Sequence, residues 1–318
     1  MPLSARYRFL KKNFFPNIKN VSCPEFETWM GDLNPQSAAL VYANNYPNSP
    51  ASTFGHTFLR INLSKNSRLQ RGDISPKKLD LLDYIVSFAA ATDDFNSLEA
   101  AIRGLFGGYQ GVFGLGPYYM KVNEYNNIDG RDMWEYHLNL RPDQTRRMMA
   151  HLWELSLNTY FDYFFFTENC SYQILVLLEV ANPDWNLSSH FKLYTSPPET
   201  VKVLLGQKGA LREIRYRPSL YKVAKHMRDQ LSSEQKRQFK KLVDKKISLN
   251  SVIDTSVLDA AIKTFSYRLK LKNHAKDAKF YKDLLIYRSK LPKSKNLSSP
   301  PPDKSEAPER GHGHRMLT

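Results

Sequence analysis

Cysteine is scarce here: the 318 residues include two, Cys23 and Cys170, which excludes a scaffold stapled by several disulfides. One bridge between them stays open as an alternative to two free thiols. None of the eight histidines shares metal-ligand spacing with a cysteine, and the G-H-G-H of His312 and His314 reads as unstructured tail, so neither metal nor cofactor is expected. Long apolar runs are missing as well. No stretch reaches the roughly 18 to 20 residues that cross a bilayer, so no transmembrane segment is expected. Neither GxGxxG nor GK[ST] occurs, although Gly104, Gly107, Gly108, Gly111, Gly114 and Gly116 crowd one stretch; it reads as a flexible flap or as plain turns. A signal peptide is not evident, because Arg6, Arg8, Lys11 and Lys12 stand where an apolar segment belongs. Taken alone, that start points to the cytoplasm.

Acidic residues are sparse in the C-terminal third. Residues 1–200 carry 18 Lys and Arg against 20 Asp and Glu, whereas residues 201–318 carry 28 against 11. The formal charge of +15 therefore belongs to the last third. Such a segment suits peripheral contact with an anionic membrane surface, with a solvated basic tail that has no defined partner as the alternative. Nucleic acid is the weaker expectation, since few aromatics interleave the basic residues apart from Tyr267, Phe280, Tyr281 and Tyr287.

What the chain has in quantity is aromatic, 18 Tyr and 18 Phe, and they concentrate in residues 159–181. The run T-Y-F-D-Y-F-F-F reads as a buried strand. Tyr172, Ile174, Leu175, Leu178 and Ala181 then follow at helical spacing. Asn169 is a natural N-cap, which sets Cys170 in the first helical turn, where free N–H groups and the dipole favour a thiolate. Cys170 is thus the candidate nucleophile, with an inert buried cysteine as the alternative. A nucleophilic thiol needs a base. His56 is the histidine that follows a glycine at a strand start among small hydroxyl residues (Ser52, Thr53, Thr57), and it is the candidate base.

The remaining pattern predicts strands at Leu40 to Ala43, from His56 to Leu63, 82–90, 118–125 and 133–140, with helices at 24–29, 96–106, 142–157 and 197–205. Residues 1–37 read as an N-terminal helical segment, 38–220 as the main α+β domain, 221–291 as two or three basic helices and 292–318 as a disordered tail.

Several motifs together resemble a known family: S-x-F-G-H-T-F-L-R (52–60), R-D-M-W-E-Y-x-L-N-L (131–140), F-x-E-N-C-S-Y (166–172), P-x-E-T (197–200) and Y-R-P-S (216–219). They resemble the bacterial envelope family of the periplasmic domain of lipoprotein N-acyltransferase. The His-before-Cys order is also similar to permuted papain-like (NlpC-type) enzymes and to acyltransferases related to lecithin retinol acyltransferase. The resemblance covers about residues 5–220. It implies a permuted papain-like core of antiparallel sheet packed on helices, with a C-terminal basic helical appendage. It further implies that Cys170 accepts the acyl group, that His56 is its base, that the substrate is an acyl-lipid or lipoprotein, and that the location is the periplasm, with the leader missing from this chain. A-R-Y-x-x-L (5–10) stands unusually near the start for that family, and a basic tail replaces the membrane helices of some members.

Supporting roles stay open. Ser87, Asn62 or Glu135 could orient His56, while Asn169 and Glu168 border the nucleophile. Ser52 or Thr53 could join the Cys170 N–H in an oxyanion hole. Tyr118, Tyr119, Phe164 and Phe166 are candidate substrate walls. A cysteine peptidase or amidase acting on peptidoglycan, and a non-catalytic envelope protein binding anionic lipid or polymer, are the competing functions.

Overall fold

A centrally placed strand organises the sheet in the computed structural model, which describes residues 4–17, 22–46, 54–63, 80–91, 108–271, 275–292 and 299–310. Seven strands run in the order β6-β4-β3-β2-β1-β5-β7. They are β1 (Pro35–Ala43), β2 (His56–Leu63), β3 (Tyr84–Ala91), β4 (Tyr109–Pro117), β5 (Met133–Leu138), β6 (Phe161–Tyr163) and β7 (Leu211–Arg217). β2 pairs antiparallel with β1 from Ala43↔His56 to Pro35↔Leu63, and with β3 from Leu59↔Val86 to Ile61↔Tyr84. Consecutive residues 38–43 of β1 and 57–61 of β2 are buried, so both faces of the sheet centre are covered.

Three helices build the layer that matters for function. α4 (Pro142–Asn158) lies on β1, and α5 (Cys170–Ala181) lies on β2 and β3, while α6 (Pro197–Gly206) packs on α5. α1 (Ser4–Asn13) and α2 (Pro24–Leu33) rest on α4, with Trp153 against Phe26 and Trp29 at ring separations of 5.8 and 5.0 Å. α5 is apolar nearly all round, as a helix covered by a sheet and by other helices must be.

The chain divides into two compact units. One comprises Met1–Met120, Trp134–Arg215 and Ser305–Thr318; the other comprises Lys121–Met133 and Tyr216–Lys304. The second unit is helical: α7 (Leu220–Asp229), α8 (Ser233–Val243), α9 (Thr255–Arg268) and α10 (Ala278–Ser289). Its own core includes Met227, Phe239, Leu242, Leu258, Phe265 and Leu284. Asn126 ties its two chain segments together, donating from Nδ2 to the carbonyls of Arg131, Arg217 and Pro218.

Several expectations are corrected. The stretch 118–125 is not a strand but a short helix, α3 (Tyr118–Lys121), continuing into a π-helical turn (Val122–Ile128). Its buried Tyr118, Val122 and Tyr125 are spaced i, i+4 and i+7, a helical period hidden within aromatic β-formers. The glycine-rich stretch supplies strand β4 from Tyr109 on, where Gly111 leaves room for the tip of the Phe88 ring; a Cβ there would meet Phe88 Cζ at 2.2 Å. The aromatic run forms only the three-residue edge strand β6, with residues 164–169 leaving the sheet. β7 was not expected, because its charged alternation belongs to a strand at the sheet edge. The basic region holds four helices among the described residues rather than two or three. Residues 299–310, expected to be disordered, form two 3-10 turns with Ala307 and Pro308 buried, and Glu309 accepts a hydrogen bond from Tyr136. The helix expected at 96–106 lies outside the described residues.

Candidate active site

Local chemistry places the cysteine. Asn169 caps α5: its Oδ1 accepts from the backbone N–H of Ser171 (3.0 Å) and Tyr172 (3.3 Å). Its Nδ2 donates to the carbonyls of Phe165 (2.9 Å) and Thr195 (2.7 Å), and the Thr195 N–H donates to the Phe166 carbonyl at 2.7 Å. One buried amide therefore fixes the helix start and both loops beside it. Asn169 is a positioning residue whose donors and acceptor are committed.

The histidine is placed by the other route, through strand pairing. Gly55, with φ of +92°, turns the chain into β2. The Tyr42 ring lies directly beneath it, and the Tyr42 hydroxyl donates to Asn45 Oδ1 and the Phe54 carbonyl. A Cβ at Gly55 would come within 2.5 Å of that ring. Gly55→Ala is therefore expected to combine left-handed strain with a clash, lowering stability by about 1–3 kcal/mol and shifting His56. Thermal unfolding together with the Cys170 alkylation rate checks this; wild-type values for both would show that the turn tolerates a side chain.

The two elements bring Cys170 Sγ to 3.2 Å from His56 Nδ1, across 114 positions of sequence. Cys170 is 6% exposed. Burial pushes its thiol up from the ordinary range, while the Thr57 backbone N–H and the Ser171 hydroxyl pull it partly back. Burial therefore favours the protonated form of the Cys170 thiol beside the His56 ring. Cys170 and Cys23 are both free thiols, so the bridge considered from the sequence is not formed.

Beside the sulfur lies a small cleft of about 20 Å³ lined by Phe54, Gly55, Tyr163, Phe165, Phe166, Tyr194, Thr195 and Pro197 together with Asn169 and Cys170. Tyr194 links the rim, its ring centroid 6.5 Å from Phe54 and 5.8 Å from Phe166. Tyr163 lines the cleft next to the cysteine. Its hydroxyl is pushed up by burial and by the Cys170 sulfur, and it also interacts with the Cys170 backbone N–H.

Among the expected walls, Phe166 lines this cleft. Tyr118 instead lies fully buried over Arg60, and Tyr119 is exposed on α3. Phe164 is half-buried outside the cleft lining. Glu135 does not serve His56: Arg60 holds one of its oxygens and the Tyr118 hydroxyl the other, each at 2.6 Å. Ser87 faces Gly114 on the neighbouring strand, and Asn62 donates to Ser37. Glu168 is exposed. Ser52 and Thr53 lie outside the described residues. Sequence reading missed Phe54, Tyr163, Phe165 and Tyr194 as lining. Their only sequence signal was closeness to the G-H, N-C and P-x-E-T motifs. No group of three or more His, Cys, Asp or Glu among the described residues could hold a metal ion, and no described helix is long and apolar enough to cross a membrane.

Residues 25–207 match a family model described as the Lnb N-terminal periplasmic domain. No curated protein and no solved structure matches the chain.

Proposed function

Because the chain belongs to the Lnb N-terminal periplasmic domain family, we propose that it works in the bacterial envelope as a thiol acyltransferase or acyl hydrolase on a lipid or lipoprotein ester or amide. The observation that carries this reading is the 3.2 Å Cys170–His56 pair, whose cysteine lines an aromatic cleft. The fold we infer is permuted papain-like, with the histidine strand preceding the cysteine helix in the chain.

In the first half-reaction His56 Nδ1 takes the Cys170 proton as sulfur bonds to the acyl carbon. The carbonyl electron pair moves onto oxygen, which takes a hydrogen bond from the Tyr163 hydroxyl, itself held by the Cys170 N–H. Collapse breaks the bond to the leaving oxygen or nitrogen, which collects the proton from His56. An amine or water then attacks the thioester, loses its proton to His56, and sulfur is released and reprotonated.

The lining favours an acyl chain over a peptide. Phe54, Tyr163, Phe165, Phe166, Tyr194 and Pro197 supply apolar surface, and no charged side chain is among the lining residues. The test is to offer diacyl phospholipid vesicles and, separately, muropeptides, then to search the Cys170 peptide by mass spectrometry for a hydroxylamine-labile adduct. A fatty-acyl thioester from phospholipid is expected. A muropeptide adduct would instead establish the peptidase reading, and no adduct from either would leave the protein as a non-catalytic binder.

Tyr163→Phe isolates the oxyanion role. Losing one donor is expected to lower kcat roughly a hundredfold with KM nearly unchanged. A change in KM alone would make Tyr163 only part of the wall.

A further inference from the structure

We propose that Thr57 and Ser171 form a two-hydroxyl relay that donates to the Cys170 sulfur, positioning and stabilising the thiolate as it forms. This rests on the reading of Cys170 as a nucleophile, but not on the identity of its substrate.

Each hydroxyl residue directly follows one member of the pair: Thr57 after His56 on β2, Ser171 after Cys170 on α5. Both are completely buried. Their oxygens are 2.8 Å apart, and Ser171 Oγ lies 3.9 Å from Cys170 Sγ, within hydrogen-bond reach of a large sulfur atom. Two hydroxyls in contact have two protons, and one of them spans the contact. When Thr57 donates to Ser171, the Ser171 proton is free to point at sulfur. The chain then runs Thr57 to Ser171 to Sγ, with each bond polarising the next. A donor aimed at a buried anion is worth more than one between neutral groups. The same contact bolts β2 to α5, so it also sets the separation of His56 and Cys170.

The titratable groups facing the sulfur are His56 from β2 and Tyr163 from β6. On the other elements packed against α5, His190 of the 3-10 turn Ser188–His190 is exposed, His151 of α4 lies beside Glu154, and carboxylates are engaged elsewhere. On α4, Glu154 accepts from the Arg6 backbone N–H; on α6, Glu199 pairs with Lys202. A hydroxyl relay is therefore a suitable means of holding negative charge on sulfur here without a second cation.

The experiment measures the pH midpoint of Cys170 alkylation by iodoacetamide in the full chain carrying Cys23→Ser. Ser171→Ala and Thr57→Val are each expected to raise the midpoint by about one pH unit, equivalent to about tenfold slower labelling at a fixed pH below it. The double variant should shift no further than the larger single, because the two act as one chain. Ser171→Thr and Thr57→Ser should restore the wild-type midpoint. An unchanged midpoint in Ser171→Ala, even with a lowered melting temperature, would overturn the relay and leave only interlayer packing; fully additive shifts would overturn it too. If Thr57→Val fails to fold, Ser171→Ala decides alone. Failure of phospholipid acylation with the midpoint shifts intact would sink the substrate reading and leave the relay standing.

Discussion

Cys170→Ala is expected to abolish acyl-thioester formation, and His56→Ala to slow it by about 10²–10⁴-fold, the range for loss of a general base. The double variant should be no worse than Cys170→Ala, since base and nucleophile act as a unit. The pH profiles carry more information than the rates. With His56 as the base, as proposed, proton transfer in the wild type is internal to the pair and does not wait for the thiol to ionise to solvent. In His56→Ala, sulfur must ionise to solvent. Burial holds that thiol above the ordinary range, which keeps it protonated at neutral pH, so residual activity should climb with pH through and beyond that range. Single-turnover acylation across the pH range checks this. A His56→Ala profile parallel to wild type would show that imidazole is not the base, even at 3.2 Å.

Arg60→Met should produce the largest loss of stability, about 3–5 kcal/mol. Arg60 is 2% exposed at the sheet centre. Its guanidinium meets Glu135 at 2.6 Å, Asp83 at 2.7 Å and Asp80 at 3.1 Å, and lies 5.0 Å from the centre of the Tyr118 ring. Its strand partner is Ala39, small enough for the side chain to pass over β1 to Glu135 on β5. Burial alone would pull Arg60 down, but the carboxylates more than offset it and raise it instead. Asp83 is held above the ordinary carboxylate range by burial, which Arg60 only partly counters. Removing the cation strands two buried carboxylates; replacing Arg60, Glu135 and Asp83 together by Met, Leu and Asn should recover much of the loss, because no buried charge is then left alone. Urea unfolding of the single and triple variants decides it. A cost below about 1 kcal/mol for Arg60→Met would show that water reaches the cluster.

The network also explains a misplaced expectation. Glu135 looked available to orient a histidine because a sequence presents a carboxylate without its partners. Tyr118 was misread for the same reason: an aromatic next to a glycine-rich stretch suggests a cleft wall, whereas it covers a buried guanidinium. Edge strand β7 and the packed turns of residues 299–310 were illegible because their partners, β5 and Tyr136, are remote in sequence.

Sequence by itself determined what is decided within a few residues: the Asn169 cap, Cys170 in the first turn of α5, the glycine before His56, the α4 start at Pro142, and the motifs of the family. Caps, turns and helical periods are short-range hydrogen-bond and steric matters, so the local order of residues suffices. Tertiary structure alone decided that sulfur and imidazole meet, that Thr57 reaches Ser171, that Phe54, Tyr163 and Tyr194 close one cleft, and that Arg60 spends Glu135 before His56 can use it. Those contacts depend on strand register and on which helix covers which strand, set by burying apolar surface over the whole sheet.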